Sequence, residues 1–136
     1  MQLTKNFSLA ELTHSITARN RGIKNEPNAV QIENLKALCE KVLQPLRDKM
    51  GRAIHISSGF RSPELNVAIG GAKASQHMAG EAADITLGTK ELNKRVFETI
   101  KKNGNFDQLI DEYDFQWVHV SWKRTGINRK QILAIK

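Results

Sequence analysis

The chain has 136 residues, of which 40% are hydrophobic and 26% charged, and this composition predicts one compact domain over residues 1–136. The chain lacks the run of about eighteen apolar residues that would predict a membrane span. The single cysteine, Cys39, excludes an intrachain disulfide and is expected to be a small buried hydrophobe. The formal net charge of +7 favours an anionic partner: nucleic acid, an acidic membrane surface or an anionic cell wall. We expect a monomer.

The N-terminal part of the chain is predicted to be mostly helical. Ser8 and Glu11 form a capping box that starts a short helix, and a polar loop over 18–28 follows it. Apolar residues then recur at three- and four-residue spacing and predict a long helix over 27–50. Pro45 is expected to kink this helix or to split off its last turn, because proline lacks the N–H of the helical hydrogen bond.

The rest of the chain alternates short helices and short strands. Helices are predicted over 63–68, where proline occupies the first turn, and over 90–102, where Thr89 caps the N-terminus. The strands are predicted over 53–57, 82–86, 106–112, 115–122 and 131–136. A tight turn at Tyr113-Asp114 joins two of these strands into a hairpin. This order of elements predicts an α+β fold rather than a doubly wound parallel sheet.

Three polar residues suit a metal site. His77 and Asp84 are separated by small residues, which allow the backbone to aim both side chains at one point. His119 alternates with Val118 and Val120 in a predicted strand, so its side chain projects from the face opposite the valines. Two imidazoles and one carboxylate suit Zn²⁺ with a fourth position open to water. The spacing alone does not exclude ordinary polar residues, because it is less specific than a motif such as HExxH.

Three ordered motifs carry a resemblance to a known family. They are SGFRSPELN at 58–66, SQHMAGEAADI at 75–85 and WVHVSW at 117–122. With them the chain resembles the zinc D-Ala-D-Ala carboxypeptidase family of metallopeptidases, and in particular its short, phage-type members. The resemblance extends to the N-terminal segment and so covers nearly the whole chain. It implies the α+β hedgehog/DD-peptidase fold, a small mainly antiparallel sheet flanked by helices, with Zn²⁺ ligands at His77, Asp84 and His119.

Arg61, in the first motif, is the predicted substrate anchor. Members of the family use an arginine in this segment to hold the substrate near the metal, and a guanidinium grips a carboxylate or carbonyl with two parallel hydrogen bonds. The alternative is a structural arginine that satisfies the carbonyls of the glycine loop. Ser75 and Gln76, just before the first ligand, are candidates for orienting the substrate or that ligand. Trp117 shares the strand face of the third ligand and is expected to wall the cleft.

The catalytic base is predicted at Glu112. Some relatives carry glutamate three residues before the last ligand, but Gln116 occupies that position here, and glutamine does not accept a proton from water. Other relatives place a glutamate at the end of the preceding strand, and Glu112 ends the predicted strand 106–112. From there it would accept a proton from the attacking water. Asp114 is the second candidate, and Asp111 is expected on the opposite face of the strand.

These features predict a zinc-dependent peptidase that hydrolyses stem peptides of bacterial peptidoglycan. The resemblance implies a D-Ala-D-Ala carboxypeptidase or an L-alanyl-D-glutamate endopeptidase, with a phage endolysin as one role. The first twelve residues lack a signal peptide, so we expect synthesis in the cytoplasm and action on the wall after release, in host lysis or from a virion. Gln116 keeps open a catalytically silent zinc domain that binds cell wall or protein. Nucleic acid is not the predicted partner, because no helix has a densely basic face.

Overall fold

The computed structural model describes residues 1–136. The α-helices are α1 (Leu9–Thr13), α2 (Ile16–Arg21), α3 (Ala29–Leu38), α4 (Gln44–Met50), α5 (Pro63–Ala68) and α6 (Lys90–Asn103). The strands are β1 (Gln2–Thr4), β2 (Phe7–Ser8), β3 (His55–Ser58), β4 (Ala82–Thr86), β5 (Gln108–Glu112), β6 (Trp117–Ser121) and β7 (Gln131–Ile135). A π-helical segment, Cys39–Leu43, lies between α3 and α4, and a 3-10 helix, Gln76–Ala79, precedes β4. None of the helices combines the length and apolar character needed to cross a membrane.

A five-stranded sheet organises the fold. Its order is β3-β4-β6-β5-β7, and only the outer pair, β5 and β7, is parallel. Ala83 and Ile85 of β4 pack in the hydrophobic core with Val118 and Val120 of β6, and the alternate residues of both strands face away from this core. The architecture is therefore α+β with a mainly antiparallel sheet, as predicted.

The helix predicted over 27–50 consists of three consecutive segments. α3 begins later than predicted, because the Asn28 side chain caps it by accepting a hydrogen bond from the Gln31 N–H at 2.9 Å. α3 gives way to the π-helical segment at Cys39, and α4 continues the helix with Pro45 in its first turn. Proline has no N–H to donate to the preceding turn, so a wider π turn accommodates it where a kink or a separate last turn was expected.

The N-terminal segment contains more structure than predicted. The capping box of Ser8 and Glu11 is present and starts α1. The hairpin of β1 and β2 was not predicted, because strands of two and three residues leave no periodic pattern. The prediction of a loop over 18–28 was wrong in its first part, where α2 is capped by Ser15 and ends at Gly22 with a φ of 64°. A helix this short depends on tertiary packing, which local propensity does not reveal.

The hairpin of β5 and β6 is shorter than predicted and has a strained turn. β5 begins two residues later than the predicted range 106–112, and β6 loses two residues beside the turn and one at its other end relative to 115–122. The turn therefore spans 113–116 and not only the predicted Tyr113-Asp114. Tyr113, Asp114 and Phe115, which follow β5, all have positive φ between 54 and 62°. This left-handed region costs roughly 1–2 kcal/mol for each residue other than glycine, so other contacts must stabilise the turn. The buried Asn93 of α6 stabilises the turn, because its Nδ2 donates to the carbonyls of Phe115 and Gln116 at 2.8 and 3.1 Å.

Cys39, in the π-helical segment, is buried as predicted. Burial, reinforced by the negative charges of Glu11 and Glu40, raises the pKa of this thiol to about 12. The thiol is therefore protonated at neutral pH and acts as an apolar part of the core.

Candidate metal centre and cleft

Two neighbouring strands bring two of the predicted ligands together. Asp84 on β4 is directly opposite His119 on β6 in antiparallel register, so their side chains share one face of the sheet. His77 comes from the 3-10 helix that precedes β4. That helix ends at Gly80, whose φ is +73° and where an added Cβ would lie 2.6 Å from the carbonyl oxygen of Gln31. Glycine is therefore needed for the turn that leads from His77 into β4.

The candidate ligand atoms converge on one buried point. Oδ1 of Asp84 lies 3.1 Å from Nδ1 of His119 and 3.4 Å from Nε2 of His77, and the three residues are between 3 and 8% exposed. The carbonyl of Gly59, 2.8 Å from Nδ1 of His77, requires a proton on that nitrogen and leaves Nε2 with a free lone pair. Ligands of a tetrahedral zinc ion stand roughly 3.3–3.6 Å apart, since each bond is about 2.0–2.2 Å long. The donor set suits a metal ion, and all of its candidate ligand atoms lie within 4.8 Å of one another.

Asp84 keeps a negative charge in this environment. Burial by itself raises the pKa of Asp84, but the neighbouring imidazoles of His119 and His77 outweigh burial and hold the pKa well below its ordinary range. Arg61 adds an ion pair, with its Nη2 3.3 Å from Oδ2 of the carboxylate. A carboxylate with a lowered pKa remains available to a cation over the whole neutral range of pH.

Arg61 is held beside the ligands by three hydrogen bonds. Its Nε donates to Oγ of Ser58 at 2.9 Å, its Nη1 to Oδ1 of Asn66 at 3.3 Å, and its Nη2 to Asp84 at 3.3 Å. These contacts use three of the five N–H groups of a guanidinium, so two remain for another partner. The predicted anchor lines the same cleft as the ligands.

Asn66 and Gly71 position Arg61, and neither was predicted as a site residue. Asn66 is 2% exposed, and its Nδ2 donates to the carbonyl of Ala72 at 2.8 Å while its Oδ1 accepts from Arg61. An added Cβ at Gly71 would lie 2.0 Å from Oδ1 of Asn66 and 3.1 Å from Nη1 of Arg61. The available sequence signal was the pair Gly70-Gly71, which is equally typical of a helix end.

Glu112, at the end of β5, lines the same cleft. Its Oε2 lies 3.9 Å from Nδ1 of His119, and its Cα is paired with that of Trp117 across the hairpin. Burial and the negative charge of Asp84 raise the pKa of Glu112, and the nearby His119 and His77 oppose this shift only in part. The two carboxylates of the cleft therefore have pKa values displaced in opposite directions.

The other candidates for the base lie outside the cleft. Asp114 is on the exposed side of the turn and forms an ion pair with Lys90 of α6. Asp111 has the opposite strand parity, as predicted, and its Oδ1 accepts a hydrogen bond from a turn N–H at 2.6 Å. Gln116 lines a separate surface pocket beside Asp114. Apart from the aspartate ligand, Glu112 is the only acidic residue that lines the cleft.

The three remaining predicted site residues line the cleft but differ in their availability. Oγ of Ser75 accepts a hydrogen bond at 3.2 Å from a backbone N–H of the 3-10 helix that it caps. Trp117 borders the cleft with its ring 5.2 Å from that of Tyr113. Gln76 donates from Nε2 to Oδ2 of Asp107 at 2.8 Å, so its amide nitrogen is already engaged.

Asp107 supports Gln76, and this contact was not predicted. Asp107 is 0% exposed, and its carboxylate accepts hydrogen bonds from the backbone N, Nε and Nη2 of Arg129 at 2.8, 3.1 and 2.7 Å. These bonds with Arg129 hold the pKa of Asp107 well below its ordinary value, against the opposing effect of burial. Asp107 thereby connects the 3-10 helix that carries His77 to the segment before β7. A single aspartate before a strand carries no pattern that would predict such burial.

All of the predicted site residues open onto one cleft of about 500 Å³, except the second-choice base Asp114. The cleft combines a buried group of metal-binding side chains, an arginine with unused N–H groups and a carboxylate with a raised pKa. This set can hold a metal ion, bind a carboxylate or carbonyl and accept a proton. Those are the requirements of metal-assisted hydrolysis.

Comparison with known proteins identifies the family of the chain. The sequence model described as Peptidase M15 matches residues 5–121, a range that includes every cleft residue discussed above. A stretch of 49 residues, 35% of this chain, is 45% identical to the zinc D-Ala-D-Ala carboxypeptidase of Streptomyces albus G. That stretch spans only 19% of the length of the Streptomyces protein. Because the family match covers most of the chain and its α+β fold agrees, the chain belongs to the peptidase M15 family.

Proposed function

We propose that the chain is a zinc-dependent peptidase that hydrolyses stem peptides of bacterial peptidoglycan. The observation that carries the proposal is the buried group of His77, Asp84 and His119, with Glu112 3.9 Å from one of these ligands. The similarity to a zinc D-Ala-D-Ala carboxypeptidase supports the choice of metal and of substrate. The proposal takes residues 1–136 as one domain that acts as a monomer.

The substrate is bound beside the metal by residues of the cleft wall. The three ligands would hold Zn²⁺, which when bound supplies a Lewis acid that polarises the scissile carbonyl and acidifies water. Arg61 offers the substrate its two unused N–H groups, which fit a carboxylate or a carbonyl oxygen. Ser75, Gln76 and Trp117 border the cleft and position the peptide chain.

Glu112 acts as the base and then as the acid. Its carboxylate accepts a proton from the attacking water, whose oxygen forms a bond to the carbonyl carbon. The proton then passes from Glu112 to the amine nitrogen as the C–N bond breaks. The raised pKa suits both steps, because a group that titrates closer to neutrality accepts a proton and returns it readily.

The bond that is cut and the place of action complete the proposal. The family resemblance supports either the terminal D-Ala-D-Ala bond or the L-Ala-D-Glu bond of the stem peptide. The net charge of +7 would draw the protein to anionic wall polymers. We place the activity at the cell wall after release from the cytoplasm, as in host lysis by a phage endolysin.

Digestion of purified sacculi tests this proposal. We expect about one zinc ion per chain, and mass spectrometry of the products should show loss of D-alanine or cleavage after L-alanine. Removal of zinc by a chelator should abolish both changes, and added zinc should restore them. Zinc binding without any product from wall peptides would contradict the peptidase and favour a catalytically silent domain that binds the wall.

A further inference from the structure

A second groove adjoins the cleft at Arg61. It has a volume of about 360 Å³ and lies between the segment His14–Thr17, at the start of α2, and the strand β3. Arg61 and Ile69 line both the groove and the cleft, so the two adjoin each other at these side chains. None of the three metal-binding residues or Glu112 lines the groove, which we call the β3 groove.

The strand that lines this groove has a free edge. β3 is the outermost strand of its sheet and pairs only with β4. No main-chain hydrogen bond outside the strand ladders involves residues 55–58. The outward N–H and C=O groups of such an edge strand are available to an extended peptide, which recognises them without regard to its own side chains.

The side chains of the β3 groove favour a partly apolar ligand without a dense cluster of charge. Ile16 is 60% exposed and gives the wall of the groove an apolar surface. No lysine, aspartate or glutamate lines the groove, and its polar side chains are hydroxyls, the imidazoles of His14 and His55, and the single guanidinium of Arg61. A polyanion has no cluster of cations to bind here, whereas a peptide backbone finds both hydrogen-bond partners and apolar contact.

We propose that the β3 groove binds the part of the substrate peptide that leads away from the scissile bond, as an extended segment beside β3. The inference rests on the proposed function, because it takes the cleft as the place where the peptide is cut. It assigns to Arg61 a position at the junction of the two binding regions. The enzyme would therefore prefer peptides that are long enough to occupy both of them.

Binding to a protein that does not turn over tests the β3 groove separately from catalysis. The probes are the pentapeptide L-Ala-γ-D-Glu-L-Lys-D-Ala-D-Ala and the short peptide acetyl-D-Ala-D-Ala, titrated calorimetrically into the zinc-loaded Glu112→Gln protein. We expect the pentapeptide to bind at least about tenfold more tightly, because it can form backbone hydrogen bonds with β3 that the short peptide cannot reach. Equal affinities for the two peptides would overturn the proposal.

A matched pair of substitutions locates the effect. Ile16 is 60% exposed in α2 and lines the β3 groove, while Val30 is 61% exposed in α3 and lines neither the groove nor the cleft. Ile16→Trp fills the groove and should bring the ratio of the two affinities close to one, and His55→Ala should lower it in part. Val30→Trp should leave the ratio unchanged. The proposal fails if both tryptophan variants change it equally, or if neither does.

The outcome also separates this proposal from the proposed function. Suppose that the unaltered protein cuts no peptide, but that the pentapeptide still binds more tightly and loses this advantage in Ile16→Trp. The proposed peptidase activity is then wrong, and the proposed peptide binding in the β3 groove is supported. If the unaltered protein cuts both peptides with equal kcat/KM, the proposed peptidase activity is supported and the proposed peptide binding in the β3 groove is wrong.

Discussion

Asp84 and Glu112 lie in one cleft, yet their surroundings act on them in opposite directions. Asp84 is 6% exposed in the middle of the sheet, where two histidines and Arg61 stabilise its charge. Glu112 lies at the end of β5, where burial and the charge of Asp84 raise its pKa. Position within the sheet therefore distinguishes two side chains of the same chemistry. The central one suits the binding of a cation and the outer one suits the exchange of a proton.

Asp84→Asn should have the largest effect, because an amide removes the negative charge from the candidate metal site. Zinc affinity should fall by more than about 100-fold, since even the partners of metal ligands account for roughly 10- to 100-fold. Hydrolysis should become undetectable. Competition with a chelating dye measures the affinity, and Asp111→Asn, on the other face of the hairpin, is the control. Unchanged affinity in Asp84→Asn would exclude this carboxylate as a ligand.

Glu112→Gln should show that Glu112 and Asp84 have different functions. We expect kcat to fall by about 10²- to 10⁴-fold, the usual contribution of a general base, while zinc content stays the same. Steady-state hydrolysis of a stem peptide, together with metal analysis, provides the measurement. Asp114→Asn should keep its activity, because Asp114 is exposed and paired with Lys90. Equal losses in the two variants would make the assignment of the base wrong.

Arg61→Lys tests the bridge between the inner carboxylate and the substrate. Lysine keeps the positive charge but lacks the planar guanidinium that donates to Ser58, Asn66 and Asp84. A loss of roughly 10- to 100-fold in kcat/KM is expected, mainly through KM, as for charged hydrogen bonds of about 1.5–3 kcal/mol. Gly71→Ala should give a similar loss without any change of charge, because its Cβ would displace the Asn66 amide. If only Arg61→Lys has an effect, the arginine needs no such positioning.

Asp107→Asn should have the smallest effect on turnover and act on stability. Asp107 has a lowered pKa like Asp84, but its partner is Arg129 and its function is structural. We expect the free energy of unfolding to fall by about 1–3 kcal/mol near neutral pH, measured in urea. The folded pKa lies below the unfolded one, so this difference should be complete above about pH 4 and shrink as the pH falls further. A difference that is independent of pH would contradict the ion pair.

The sequence predicted the regular elements around the site better than its supporting contacts. The strand 82–86 and the helix after Thr89 were right, because a run of small buried residues and a long amphipathic stripe are strong local patterns. The helix α2 and the π-helical segment were missed. Their residues follow no period of their own, and their geometry depends on the elements packed around them.

The part of the site that was not predicted from the sequence consists mainly of contacts between distant segments. Asp107 meets Gln76 across 31 residues and Arg129 across 22. Asn66 is only five residues from Arg61, yet the contact depends on a close approach of Gly71 that no periodic pattern encodes. Residue types and spacing indicate which side chains are suited to chemistry. Which loops meet is decided by the packing of the whole chain.

The burial of Cys39 has a practical consequence for kinetics. Because this thiol is inaccessible and protonated in the folded protein, an alkylating reagent can modify it only during transient opening of the core. The chain contains no other cysteine, so its mass after a timed pulse of reagent counts the molecules that have opened. The rate of unfolding of this chain can therefore be measured by mass spectrometry without an added label.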